Sequence, residues 1–142
     1  MDTIVIATIA SSTISLLVPY LKLVGEGIAK KAGEEIGGKA GGVAWSKAKQ
    51  LHDTVKAKLS SKPDVAKVIE MLEKTPNDED TQAAIRFHIK EAIGSDEKFG
   101  KELAAILKDA TDAGADNVFQ TNVAGNVQKL VQMGNVYGDV KF

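Results

Sequence analysis

The chain of 142 residues contains no cysteine, few aromatic residues and almost no net charge. Without cysteine it can form neither a disulfide nor a thiolate-based catalytic or metal site. Aromatic residues make up 5% of the sequence, and the only arginine is Arg86. Base stacking and bidentate phosphate contacts therefore have few side chains to use, and we expect no nucleic-acid partner.

Residues suited to catalysis are also scarce. The two histidines, His52 and His88, have no acid pair at metal-ligand spacing, and the hydroxyl residues at 11–13 have no evident general base. The acidic clusters at 78–80 and 96–97 stand where helices are predicted to begin, and negative charge is favoured there. We therefore expect no enzyme activity, no metal and no cofactor.

The net charge of −1 conceals an uneven distribution along the chain. Residues 20–62 carry a local charge of +5, whereas residues 63–110 carry a local charge of −4. A basic segment of this kind is attracted to an anionic surface such as a lipid bilayer. The lysines expected to face lipid surround one predicted helix: Lys47, Lys49, Lys56 and Lys58.

Residues 3–21 form a stretch of nineteen residues without a charge. As a helix this stretch would span about 28 Å, close to the hydrocarbon thickness of a bilayer at ~30 Å. The acidic residue Asp2 and the lack of a cleavage pattern argue against a secretory signal. The residues expected to enter a membrane are Ile4, Val5, Ile6, Ile9, Ile14, Leu16 and Leu17.

The same stretch is equally typical of a buried helix in a soluble bundle. Pro19 is expected to interrupt its end, and hydroxyl side chains on one face can bond back to helix carbonyls in water, protein or lipid. The hydroxyl face follows i, i+3, i+4, i+7 spacing and consists of Thr8, Ser11, Ser12 and Ser15.

Small residues then recur at every fourth position. This spacing predicts a bare strip along one helix face, against which another helix can pack closely in the bundle or in a membrane oligomer. Each interior glycine costs the helix roughly 0.5 to 1 kcal/mol relative to alanine, so packing must hold it. The strip consists of Gly25, Ala29, Gly33, Gly37 and Gly41.

Apolar residues at helical spacing predict an all-α bundle of four or five helices over residues 1–110. The second helix is expected to stop near Ser60, and Pro63 to lie in the first turn of the third. Gly94 is expected to end the fourth helix and Ser95 to cap the fifth. The predicted core residues are Leu51, Val55, Leu59, Val65, Val68, Ile69, Leu72, Ile85, Ile89, Ala92, Ile93, Phe99, Leu103, Ile106 and Leu107.

The chain after residue 110 has a different composition. TDAGADN at 111–117 is predicted to be a hinge, and residues 118–142 form a β-prone tail rich in valine, asparagine, glutamine and glycine. NVAGNV at 122–127 matches NVYGDV at 135–140, thirteen residues later. Stacked valines and amide ladders favour pairing between copies of such a segment. The predicted amyloid core comprises Val118, Asn122, Val123, Gly125, Asn126, Val127, Val131, Gln132, Met133, Gly134, Asn135, Val136, Gly138 and Val140.

Two parts of the chain resemble known families. VQMG at 131–134 resembles the hydrophobic-Gln-hydrophobic-Gly tetrad of the receptor-interacting-protein homotypic interaction motif, and residues 118–142 are similar to bacterial and archaeal amyloid signalling motifs of that kind. The uncharged helix and the following PYLKLVGEGIAKKAGEEIGGKAG resemble the Bell domain, a prokaryotic counterpart of the fungal HeLo cell-death domain. The order, helical domain first and amyloid motif last, is also that of such effectors.

The resemblance implies a cell-death effector. A nucleotide-binding receptor of the NLR type with a similar motif would template the tail into stacked β-strands, and the clustered helical domains would permeabilise the membrane. Its partners would be copies of itself, that receptor and anionic lipids, with a cytoplasmic resting state and a membrane-bound active state. Two alternatives remain open: a non-lytic adaptor that assembles through the tail and recruits a protein through its bundle, and a helical domain whose last strands pair within the fold.

Overall fold

A computed structural model of the protein describes residues 1–27 and 30–119, with the backbone alone for residues 30–40 and 117. These residues form six helices and no strand, so the predicted helical bundle is confirmed for this part of the chain. The helices are α1 (Thr3–Gly25), α2 (Lys30–Leu59), α3 (Pro63–Lys74), α4 (Glu79–Ser95), α5 (Glu97–Asp112) and α6 (Ala115–Phe119).

The first helix lies at the centre of the bundle. The side chain of Asp2 caps it by accepting the N–H of Ile4 at 2.7 Å. The helix continues through Pro19 to Gly25, so the predicted interruption at this proline is wrong. Proline leaves the carbonyl of Ser15 without its usual i+4 donor, but tertiary packing compensates, because α1 contacts each of the other five helices.

The boundaries of α2 and α3 agree with the sequence prediction. The second helix ends at Leu59, and Pro63 occupies the first turn of the third. Proline suits that position because the N–H it lacks would have no partner within the helix.

The boundary between α4 and α5 differs from the prediction. Gly94 lies inside α4, which continues to Ser95, and Asp96 caps α5 by accepting the N–H of Lys98 at 3.2 Å. The backbone of Gly94 does not have a positive φ, so the glycine supplies no left-handed stop. Asp78 caps α4 in the same way, with the N–H of Thr81 at 3.2 Å.

The predicted core residues of α2 to α5 lie in the core. All of them are buried except Val68 and Ala92, which are partly buried and pack against it. The α4 and α5 helices approach closely at Gly100, where an added Cβ would lie 2.7 Å from Cγ2 of Ile93. Buried residues of these four helices thus form one core with those of α1.

Residues 111–117 are not a free hinge. The α5 helix runs to Asp112, a turn follows at Gly114 with φ of 85°, and α6 begins at Ala115. The short α6 packs on α1, α2 and α5, with Val118 and Phe119 only 6% and 5% exposed. Val118, predicted to begin the extended tail, therefore belongs to the bundle here, because burying two large apolar side chains favours the helix. The remaining predicted amyloid residues, from Asn122 to Val140, lie outside the described residues.

Candidate functional site

The helix predicted to enter a membrane forms the centre of the bundle. By length and composition α1 could cross a bilayer, and 56% of its most apolar stretch is buried in the fold. Of the predicted membrane residues, only Ile4 is largely exposed, at 65%. Contact of this face with lipid therefore requires α1 to leave the bundle. The others are partly buried (Ile6) or buried: Val5, Ile9, Ile14, Leu16 and Leu17.

The hydroxyl side chains of α1 do not form one exposed polar face. Thr8 and Thr13 each donate to the carbonyl four residues earlier, at 2.8 Å. Ser11 and Ser15 are half-buried, while Ser12 is fully buried and its Oγ has no hydrogen-bond partner in the described ranges. An unpaired buried hydroxyl weakens the packing of the helix that carries it.

Three aromatic side chains join α1, α2 and α6. The ring centroid of Tyr20 lies 5.3 Å from that of Trp45 and 6.3 Å from that of Phe119, and the Trp45 and Phe119 centroids are 5.7 Å apart. The two contacts of Tyr20 are edge-to-face, and a contact of that kind is worth about 0.5 to 1.5 kcal/mol beyond burial. This aromatic cluster (Tyr20, Trp45 and Phe119) connects the candidate membrane helix directly to the last described helix.

The four lysines predicted to face lipid are all ion-paired within the protein. Three of the pairs tie α2 to carboxylates outside it and the fourth lies within α2, and all four place carboxylates where a lipid headgroup would bind. Surface pairs of this kind are individually weak and are screened by salt. The pairs are Lys47 with Asp109 at 3.4 Å, Lys49 with Asp53 at 3.1 Å, Lys56 with Glu73 at 3.0 Å and Lys58 with Asp96 at 2.8 Å.

Two of these carboxylates also have other partners. Glu73 accepts from Lys56 and lies 2.8 Å from Nε2 of His52, so it joins α3 to two side chains of α2. The hydrogen bond from Lys58 holds the pKa of Asp96 below its ordinary value, and the backbone N–H of Lys98 adds to this effect. Hydrogen bonds that stabilise the carboxylate lower its pKa in this way.

The predicted glycine strip is divided between two helices. Gly25 ends α1, is exposed and has no atom within 4 Å of an added Cβ, and the following turn contains Gly27 with φ of 82°. Gly25 therefore does not extend the strip along α2, which is a correction to the prediction. Gly33 and Gly37 lie in the part of α2 described by its backbone alone, and Gly41 is buried.

The two histidines lie in different environments. His52 contacts Glu73, whereas the ring of His88 lies 5.5 Å from that of Phe87. In the described ranges no three histidine, aspartate or glutamate side chains form a group that could hold a metal ion.

Sequence reasoning missed α6 and the aromatic cluster. The signal was present, because Ala115, Val118 and Phe119 follow the i, i+3, i+4 spacing of a buried helix face. The resemblance of residues 118–142 to an amyloid motif outweighed this short pattern. The sequence prediction also ended the small-residue strip at Gly41, although the buried small residues Ala44 and Ala48 of α2 continue it.

The chain was compared with known proteins at three levels. No protein-family model, no curated protein and no solved structure matches it.

Proposed function

We propose that the protein is a cell-death effector that permeabilises membranes after its C-terminal segment, residues 118–142, assembles with copies of itself. The observation that carries this proposal is the position of α1. This helix is apolar and long enough to span a bilayer, and it packs on α6, the helix from which the C-terminal segment continues. Assembly of the segment can therefore act directly on the candidate membrane helix.

The aromatic cluster provides the physical link between the two events. Val118 and Phe119 belong both to α6 and, by position, to the start of the C-terminal segment. Their recruitment into stacked strands removes Phe119 from Tyr20 and Trp45, and part of the surface that covers α1 is lost. The buried, unpaired Ser12 favours the same release.

Assembly also concentrates the bundles. Stacked segments hold the attached helical domains at high local concentration, which favours their association without any new affinity. Anionic lipid then competes with the carboxylates for Lys47, Lys49, Lys56 and Lys58, at about 1 kcal/mol for each lysine near the surface. We propose a cytoplasmic resting state, a membrane-bound active state and an NLR-type receptor with a similar motif as the template.

Seeded leakage from liposomes tests this function. Full-length protein is added to dye-loaded vesicles of anionic lipid, with or without preformed fibrils of residues 118–142. We expect leakage only with the fibrils and strongly reduced leakage for Gln132→Pro, because proline removes a ladder hydrogen bond. Gly37→Leu, which fills the strip, is expected to preserve recruitment to fibrils and reduce leakage.

Two controls make the result decisive. Zwitterionic vesicles measure the requirement for anionic lipid, and sedimentation with the fibrils measures recruitment independently of leakage. Recruitment of the protein without any leakage would contradict a permeabilising function.

A non-lytic adaptor is the second candidate. Two large apolar side chains on the outside of the bundle favour it: Met71 of α3 and Phe87 of α4 are each 52% exposed. Both side chains are available for contact with another protein. Two results together would support the adaptor: the assembled protein leaves vesicles intact, and the Phe87→Ser variant no longer binds a partner that the wild-type protein binds.

A further inference from the structure

A groove on the surface of α1 has no part in the proposed function. It lies between residues 11–22 of α1, residues 77–86 and Phe119, and its volume is about 530 Å³. This size is within the range of small-molecule sites, roughly 300 to 1,000 Å³.

The groove contains two cations without acidic partners. Neither Lys22 nor Arg86 has a carboxylate within 4.0 Å in the described ranges, in contrast to the four paired lysines of α2. None of the described residues that line the groove is acidic. The two cations are therefore not held in ion pairs by the described residues, and Arg86 has the planar donor geometry that binds phosphate oxygens in pairs.

Uncharged polar side chains accompany these cations. The Gln82 side chain donates from Nε2 to the carbonyl of Pro76 at 2.7 Å, which fixes the amide in the wall, and Asn77 contributes a second amide. Ser11 and Ser15 of α1 also line the groove. Amide and hydroxyl side chains thus accompany the two cations in the lining.

The remaining lining is apolar. Ile14, Val18 and Pro19 of α1 and Phe119 of α6 contribute hydrocarbon surface. A free inorganic anion would gain nothing from this surface, whereas a molecule with an anionic head and an alkyl chain would bury apolar area of its own.

We propose that this groove binds one molecule of an anionic phospholipid, with the phosphate between Arg86 and Lys22 and the first chain carbons along Val18 and Phe119. The choice of a membrane lipid as the amphiphile rests on the proposed function, but the binding site itself does not. The site belongs to the unassembled chain, so the resting, cytoplasmic protein would be able to bind one lipid molecule before the C-terminal segment assembles.

Binding of monomeric lipid to the full-length, unseeded protein tests the site. The probes are dihexanoyl phosphatidylglycerol and dihexanoyl phosphatidylcholine, each below its critical micelle concentration, and inorganic phosphate, all followed by calorimetric titration. We expect the anionic lipid to bind at least tenfold more tightly than either other probe. Arg86→Gln and Lys22→Gln should each weaken it by about tenfold, the effect of losing one charge-assisted contact.

Matched variants of exposed lysines distinguish binding at this groove from attraction of the lipid to positive charge elsewhere on the protein. Lys67→Gln and Lys90→Gln make the same charge change away from the groove and should leave affinity unchanged. Thermal unfolding of all four variants checks that the fold is intact. Three outcomes would overturn the proposal. They are an equal loss of lipid affinity in all four variants, phosphate binding as tight as lipid binding, and absence of lipid binding to the wild-type chain.

This outcome is independent of the leakage experiment. Lipid binding without seeded leakage would support the groove as a binding site and contradict the permeabilising function. Seeded leakage without binding of monomeric lipid would support the permeabilising function and contradict the binding site.

Discussion

Ser12 has an unusual position for a polar residue, because it lies inside the bundle and its hydroxyl has no partner in the described part of the chain. A buried unpaired hydroxyl lowers stability. We predict that Ser12→Ala raises the free energy of unfolding by about 1 kcal/mol, measured by urea denaturation. Thr13→Ala is the control: its hydroxyl donates to Ile9, so this variant should lower stability. Equal losses in both variants would show that Ser12 is hydrogen-bonded after all.

The ion pair of Lys58 and Asp96 gives a prediction about pH. Because the folded pKa of Asp96 is depressed, its contribution to stability is present above the ordinary aspartate pKa and is lost as the pH falls through the folded value. Lys58→Gln should lower the melting temperature by less than about 4 °C at pH 7. The difference from wild type should shrink as the pH falls below the ordinary aspartate pKa and disappear once Asp96 is protonated in the folded protein. Lys90→Gln should not change the melting temperature in this way. If the difference in melting temperature between Lys58→Gln and wild type grew at acid pH, the stabilising role of the Lys58–Asp96 pair would be contradicted.

At the scale of helices, two glycines have opposite roles. Gly114 has φ of 85° in the turn before α6, whereas Gly94 lies within α4, and an added Cβ has free space at both positions. Gly114→Ala should destabilise the protein by about 1 kcal/mol through backbone strain, and Gly94→Ala should stabilise it by about 0.5 to 1 kcal/mol. Thermal melts of both variants measure this, and stabilisation by Gly114→Ala would show that the turn is not held in this conformation.

Helix boundaries show what sequence patterns can and cannot determine. The spacing of Val65, Ile69 and Leu72 gave the buried face of α3, because period and burial are coupled in any amphipathic helix. The end of α4 was misplaced, since Gly94 and Asp96 both carry terminal signals and only the backbone conformation decides between them. The pairing of Lys58 with a residue of another helix was beyond prediction, because it depends on how the helices are arranged in space.

At the scale of the whole molecule, Phe119 couples the C-terminal segment to the bundle. We predict that Phe119→Ala lowers the free energy of unfolding by about 3 kcal/mol, because a buried ring and its contacts with Tyr20 and Trp45 are lost. Seeded leakage should start earlier in this variant, because α1 is covered less well. Hydrogen exchange of α1 amides measures the loosening directly, as faster exchange.

Phe87→Ala is the matched control, since this ring is 52% exposed and its removal should change neither stability nor exchange in α1. Slower leakage by Phe119→Ala, with fibril recruitment intact, would contradict a restraining role for α6.

The central position of α1 has a consequence for synthesis. The ribosome produces this apolar helix before α4, α5 and α6, and Phe119 is added 94 residues after Gly25, the last residue of the helix. At about 5 to 20 residues per second, the helix waits roughly 5 to 20 s for its full set of partners. During this interval the nascent chain exposes the surface that the folded protein conceals. The growing chain therefore passes through a stage in which this apolar surface is open to premature association.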